Sequence, residues 1–237
     1  MCTPFGPGPI ACADVHLQTL GPSPATADEA AAEQERLRPL VDASGPGPAD
    51  PRTVAGIDVA ERDGTDEVVA AVVVLDARTL RPVETRTACA RAGHPYRSGF
   101  LALRELPAVT AALAALEQVP DLIVCDGAGV AHPRRFGMAC HVGLLTDVPT
   151  IGVAKSPPVP FEMPKPARGS WTPQVDGDDV VGRALRTQHG VRPVFVSVGH
   201  RIGLEAACDH VLRLARHRLP ETTRRADRLA RDAALRV

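Results

Sequence analysis

At 237 residues the chain is long enough for one substantial domain with a well-buried core. Its formal net charge of -1 neither requires nor excludes a polyanionic partner, because a near-neutral total is compatible with a local basic surface. Cys2, Cys12, Cys89, Cys125, Cys140 and Cys208 form no C-x-x-C pair, so neither a disulfide framework nor a zinc site is read from them. No apolar run approaches the length of a membrane span, and no basic stretch precedes an apolar one at the start, which gives the expectation of a cytoplasmic protein.

Residues 1–25 are rich in Pro and Gly without a period and read as a poorly ordered tail; residues 26–237 read as a single domain. Thr26 or Asp28 can cap a helix running to about residue 41, followed by the linker ASGPGPADP. VAGIDVA, EVVAAVVVLDA and VETRTACAR then predict a three-strand antiparallel meander. A helix is expected from Gly99 to about Glu117, with Pro107 as a kink or break. DLIVCD is a fourth strand, residues 137–145 a helix, and VPTIGVA a fifth strand. A Pro-rich loop (SPPVPFEMPKP) precedes two more strands, VVGRALRT and VRPVFVSVG, and two closing helices, Leu204 to His217 and Glu221 to Leu235. This is an α/β order in which an antiparallel meander continues into parallel strands with flanking helices, the order found in ribonuclease H-like folds.

Strand periodicity puts Ala55, Ile57 and Val59 on one face of the first strand and Gly56, Asp58 and Ala60 on the other. Taken alone, Asp58 reads as an acid facing water. Asp126 changes that balance, because it closes the apolar run LIVC at the carboxyl end of a strand, where open α/β sheets bind ligands. Glu105 adds a third acid on the intervening helix, where a solvated helix face is the plain alternative. Three carboxylates on two strands and a helix can converge, and such oxygens suit Mg²⁺ or Mn²⁺ for phosphoryl transfer; a buried acid network has the same spacing.

Only Lys155 and Lys165 are lysines, in a chain whose other basic residues are arginines. Lys155 ends the fifth strand, so a compact ammonium beside a reacting phosphate is a more attractive reading than a surface cation. His132, in AHPRR, either contacts phosphate or assists proton transfer, and an ordinary loop histidine fits as well. Arg134 and Arg135 form a basic pair suited to phosphates.

The segments VAGIDVA, PYRSGFLALRELPAV, PDLIVCDGAGVAHPRRFGMACHVGLLTDVPTIGVAKS, GHRIGLEAA and RLPETTRRADRLAR strongly resemble the endonuclease V family, in the family's order, from about residue 52 to 231. The resemblance implies a ribonuclease H-like fold. It also implies Mg²⁺-dependent hydrolysis (Mn²⁺ substituting) of the second phosphodiester bond 3′ to a deaminated base, typically inosine, leaving a 3′-hydroxyl and a 5′-phosphate. It places Asp58, Glu105, Asp126 and Asp227 on the metal-binding positions, Lys155 and His132 with Asp58, Glu105 and Asp126 in the catalytic set, and Tyr96 on the wedge that enters the base stack. By the same resemblance Gly99 and Gly127 line the base pocket, with turns alone as the plain alternative, and Arg134 of the basic pair is taken as a substrate contact. The partner is DNA or RNA carrying deaminated bases, and the chain is taken as a monomer.

Two departures stand out. The wedge reads PYRSG, with Ser98 where the family has proline, and Ala128 replaces a common histidine in DGAG. Alternative readings are an inosine-specific endoribonuclease, another ribonuclease H-like nuclease without a base pocket, or a silent nucleic-acid-binding module. The last would be favoured by loss of an acid, and all three central acids are present.

Overall fold

The computed structural model describes residues 16–21, 24, 26–92 and 99–235. In chain order the elements are α1 (Ala27–Leu37), β1 (Thr53–Glu61), β2 (Glu67–Asp76), β3 (Pro82–Arg91), α2 (Leu101–Ala114), β4 (Leu122–Asp126), α3 (Met138–Thr146), β5 (Thr150–Ala154), β6 (Trp171–Asp176), β7 (Asp179–Leu185), β8 (Val194–His200), α4 (Leu204–Leu214) and α5 (Glu221–Ala234). The eight strands form one sheet in the order β3-β2-β1-β4-β5-β8-β7-β6. Its centre, β1, β4 and β5, is parallel. The meander β1-β2-β3 flanks it on one side, and β8, β7 and β6 return antiparallel on the other.

Alternation along each strand builds two cores. Ala55, Ile57, Ile123 and Cys125 pack with Ala108, Val109 and Leu113 of α2 and with Ala139 and Val142 of α3. Val54, Leu122, Val124, Ile151 and Val153 pack on the opposite face with Val211 and Leu214 of α4 and Ala226 of α5. Each fully buried Val, Leu or Ile stabilises the fold by roughly 1.5–3 kcal/mol. β2 is covered on both faces, which its unbroken apolar run requires.

The sequence expectations differ from the fold in several respects, among them the end of α4 at Leu214 rather than His217. α1, capped by Thr26 Oγ1 accepting Glu29 N at 3.2 Å, ends at Leu37 and tightens into a 3-10 turn at Arg38–Leu40. Pro107 does not end α2, which runs through it to Ala114; it sits on the exposed side while Ala108 and Val109 anchor the helix to the sheet. β6, a segment given no element in the sequence reading, is an edge strand holding Pro173, a position where the lost N–H removes no interior ladder bond. Within the stretch read as a tail, Gln18 N donates to Leu145 O at 2.7 Å, so residues 16–21 lie against α3. Among the described residues no helix is long and apolar enough to cross a membrane.

One close approach decides where α5 lies. A Cβ on Gly56 of β1 would stand 2.2 Å from the Thr222 carbonyl oxygen, so only glycine lets the start of α5 rest directly on the strand.

Candidate active site

Parallel pairing sets Ile57 of β1 beside Cys125 of β4. Both side chains enter the core under α2 and α3, so the next residues, Asp58 and Asp126, turn to the α5 side of the sheet as neighbours. Asp126 pairs in register with Val153 of β5, and Lys155, two residues on, points to the same side. α5, held down at Gly56, brings Asp227 over this edge. The Lys155 ammonium consequently lies 2.6 Å from Asp126 Oδ2, 3.2 Å from Asp227 Oδ1 and 3.8 Å from Asp58 Oδ2.

Three carboxylates from three elements therefore share one ammonium. Asp58 also accepts the Val59 N–H at 2.9 Å, which fixes its rotamer. Burial, then the Asp126 charge, pushes the Asp58 carboxyl up to about 7, against the pull of Lys155. Burial would lower Lys155, but its hydrogen bond to Asp126 and the charges of Asp126 and Asp58 raise it overall. Asp227 is held below its ordinary value: burial works against this, and its bonds to Lys155 and Arg231 outweigh it. Arg231 NH2 donates to Asp227 Oδ1 at 2.8 Å, one helical turn along α5.

Glu105 comes from the other layer, on α2. Burial first, then the charges of Asp58 and Asp126, pushes its carboxyl up to about 8. As the side chains stand, no three described acidic, histidine or cysteine residues by themselves enclose a point that a metal ion would take. The ammonium of Lys155 holds the centre of the aspartates instead.

A second constellation forms around Gly99. Its backbone has φ +83°, and its carbonyl accepts Arg134 NH2 at 2.7 Å. The Arg134 guanidinium lies 4.0 Å over the Phe100 ring. His132 accepts the Arg134 N–H at Nδ1, 3.2 Å away, and also hydrogen-bonds the Gly99 backbone. Burial and the Arg134 charge lower this ring to about 4, so it is neutral near pH 7. Gly127, with φ +110°, turns the chain immediately after Asp126. Tyr96 lies outside the described residues.

A family model described as Endonuclease V matches residues 35–228. The chain belongs to the endonuclease V family. It is 58% identical over 214 residues to Endonuclease V of Streptomyces avermitilis, covering 89% of this chain and 93% of that protein. A crystal structure of Endonuclease V from Streptomyces avermitilis superposes with a TM-score of 0.86 at 57% identity, covering 89% of this chain and 94% of the other. Ciona intestinalis Endonuclease V, solved in complex with a 24mer DNA containing an inosine followed by a ribo-adenosine, gives a TM-score of 0.75 at 28% identity over 85% of this chain and 95% of its own. Membership makes this chain a nuclease, a hydrolase of phosphodiester bonds.

In this endonuclease V chain the structure brings Asp58, Asp126, Asp227 and Lys155 together and sets Glu105 within their field. His132, Arg134 and Gly99 form the separate cluster described above. Sequence reasoning missed Arg218, whose NH2 donates to the Lys155 carbonyl at 2.6 Å and the Pro193 carbonyl at 3.0 Å, holding the end of β5. It also missed Gln34 of α1, a fully buried side chain bonded to Arg134. Neither partner pair is close in sequence, so no local pattern marks them.

Proposed function

We propose that this chain is a divalent-metal-dependent endonuclease of nucleic-acid repair that recognises inosine in DNA and cuts the second phosphodiester bond on its 3′ side. The observation that carries this reading is the group of three aspartates from β1, β4 and α5 around Lys155, on the α5 side of the central parallel strands of a nuclease fold. The inosine-containing DNA bound by the Ciona relative supports the choice of substrate.

The donor set fits a hard cation. Asp58, Glu105, Asp126 and Asp227 offer only oxygens, and burial pushes Asp58 up to about 7 and Glu105 up to about 8, so added positive charge there would favour their ionised forms. These four acids would hold Mg²⁺, for which Mn²⁺ can substitute. A divalent ion there supplies Lewis-acid charge to the phosphate and lowers the cost of deprotonating water.

The protein's own groups do the rest. Lys155 presents a point charge to the non-bridging phosphate oxygens as negative charge builds on them. Water oxygen forms the new bond to phosphorus, the P–O3′ bond breaks, and O3′ takes a proton, giving a 3′-hydroxyl and a 5′-phosphate. His132, neutral and bonded to the Arg134 N–H and the Gly99 backbone, helps to position the Gly99 turn. Gly99, Gly127 and Arg134 shape the base pocket, with Tyr96 as the wedge.

The test uses an end-labelled duplex with one deoxyinosine, its adenine counterpart and an inosine-containing RNA, each with Mg²⁺ or with EDTA. Mg²⁺-dependent cutting of the deoxyinosine strand one nucleotide beyond the lesion's own 3′ phosphate is the expected result. Cutting that ignores inosine would refute the reading, and preference for the RNA would move the substrate to RNA.

A further inference from the structure

α1 belongs to neither layer that carries the acids, yet it holds a side chain with no solvent contact: Gln34 is 0% exposed. Burying an amide side chain costs free energy unless its donors and acceptor are paired. Here all are. Nε2 donates to Phe136 O at 3.2 Å and, more weakly, to Gly99 O at 3.4 Å, while Oε1 accepts Arg134 Nε at 2.5 Å. Arg134, held by that bond, donates to the same Gly99 carbonyl and covers the Phe100 ring. A Cβ on Gly99 would stand 2.9 Å from Arg134 NH2, so the turn and the guanidinium are in close contact.

We infer that Gln34 is a positioning residue for base recognition: with Arg134 it clamps the Gly99 carbonyl and so fixes the turn that leads into α2. Gly99 and Phe100 immediately precede α2, and Glu105 follows on its first turns. One clamp therefore sets both the base-reading turn and the helix that carries a catalytic acid. This inference rests on the functional reading above, in which Gly99 lines the inosine pocket.

Arg134 forms two bonds in the clamp, one to Gln34 and one to Gly99. Without Gln34 the guanidinium loses the contact that sets its plane, and the Gly99 carbonyl loses a donor. The turn then samples other positions, and the pocket's hydrogen bonds to the base are no longer held ready.

The test compares Kd for a deoxyinosine duplex and its adenine counterpart in EDTA, so that recognition is read apart from cleavage. Wild type, Gln34→Met, Arg134→Lys and the double variant are measured, with thermal melts to confirm folding. Gln34→Met should lower the inosine preference about tenfold, the size of one or two net hydrogen bonds, with adenine-duplex binding little changed. The two substitutions should be non-additive, because each breaks the same clamp. A folded Gln34→Met with unchanged preference, or strictly additive losses, overturns the inference. If Gln34→Met does not fold, Arg134→Lys reads the clamp from its other side, and an unchanged preference there overturns it equally. A wild type that shows no inosine preference defeats the functional reading itself, and the inference with it.

Discussion

Lys155 Nζ stands 2.6 Å from Asp126 Oδ2, the shortest of three contacts that tie β5 to β1, β4 and α5. Such a partly exposed ion pair adds little to stability by itself. Its value lies in placing a cation at the junction of the acids. Lys155→Ala should lower the single-turnover cleavage rate ~10²–10³-fold, as loss of a preorganised charge does, with a much smaller change in substrate affinity. Lys155→Arg should recover only part, since a planar fork is not a point charge. A loss confined to affinity would place Lys155 in the phosphate grip instead.

The raised carboxyls give a pH dependence with a definite sign. Asp58, at about 7, and Glu105, at about 8, keep protons in the folded chain that the unfolded chain has already released. The stability linked to them is full below the unfolded values and is lost as pH rises through the folded ones. Buried His132 and His141, lowered to about 4 and about 3, and the lowered His200 and His210 act oppositely, but an unfolded histidine is still half protonated at 6.5, so their contribution is complete only about a unit higher. In EDTA the thermal midpoint should therefore fall between pH ~7.5 and ~8.5. Glu105→Gln should flatten that fall, and Mg²⁺ should reduce it. A midpoint that rises over this range in EDTA would contradict the assignment.

Gly56 offers a structural route to the same site. With Ala, the new Cβ would meet the Thr222 carbonyl oxygen at 2.2 Å, and a backbone group cannot swing aside. α5 must lift, taking Asp227 with it. Gly56→Ala should cost ~1–3 kcal/mol, as overpacking does, and lower cleavage beyond what the melting curve explains. An unchanged midpoint and rate would show that α5 is not seated this way.

Legibility in the sequence followed locality. Asp58 and Asp126 stood out because strand alternation and strand ends are local patterns, and Lys155 because lysine is rare in this chain. The resemblance added Asp227, which lies on a helix whose Arg-rich face gives no sign of an acid turned toward a sheet. Gln34 and Arg218 were not legible, since their bonds to Arg134 and to the Lys155 carbonyl join segments far apart in the chain. β6 was hidden by Pro173 and by having few apolar residues, both tolerated only because it is an edge.

Single-turnover cleavage of a deoxyinosine duplex by Asp126→Asn, in saturating Mg²⁺, tests the central claim most directly. Asparagine keeps the shape and removes the charge that faces Lys155. The expected result is retained folding and duplex binding, with a cleavage rate lowered by more than the ~10–100-fold typical of a metal's outer-shell partners. A folded Asp126→Asn protein that cuts within about tenfold of wild type, no more than the low end of that range, would contradict the claim that these acids are the nuclease centre.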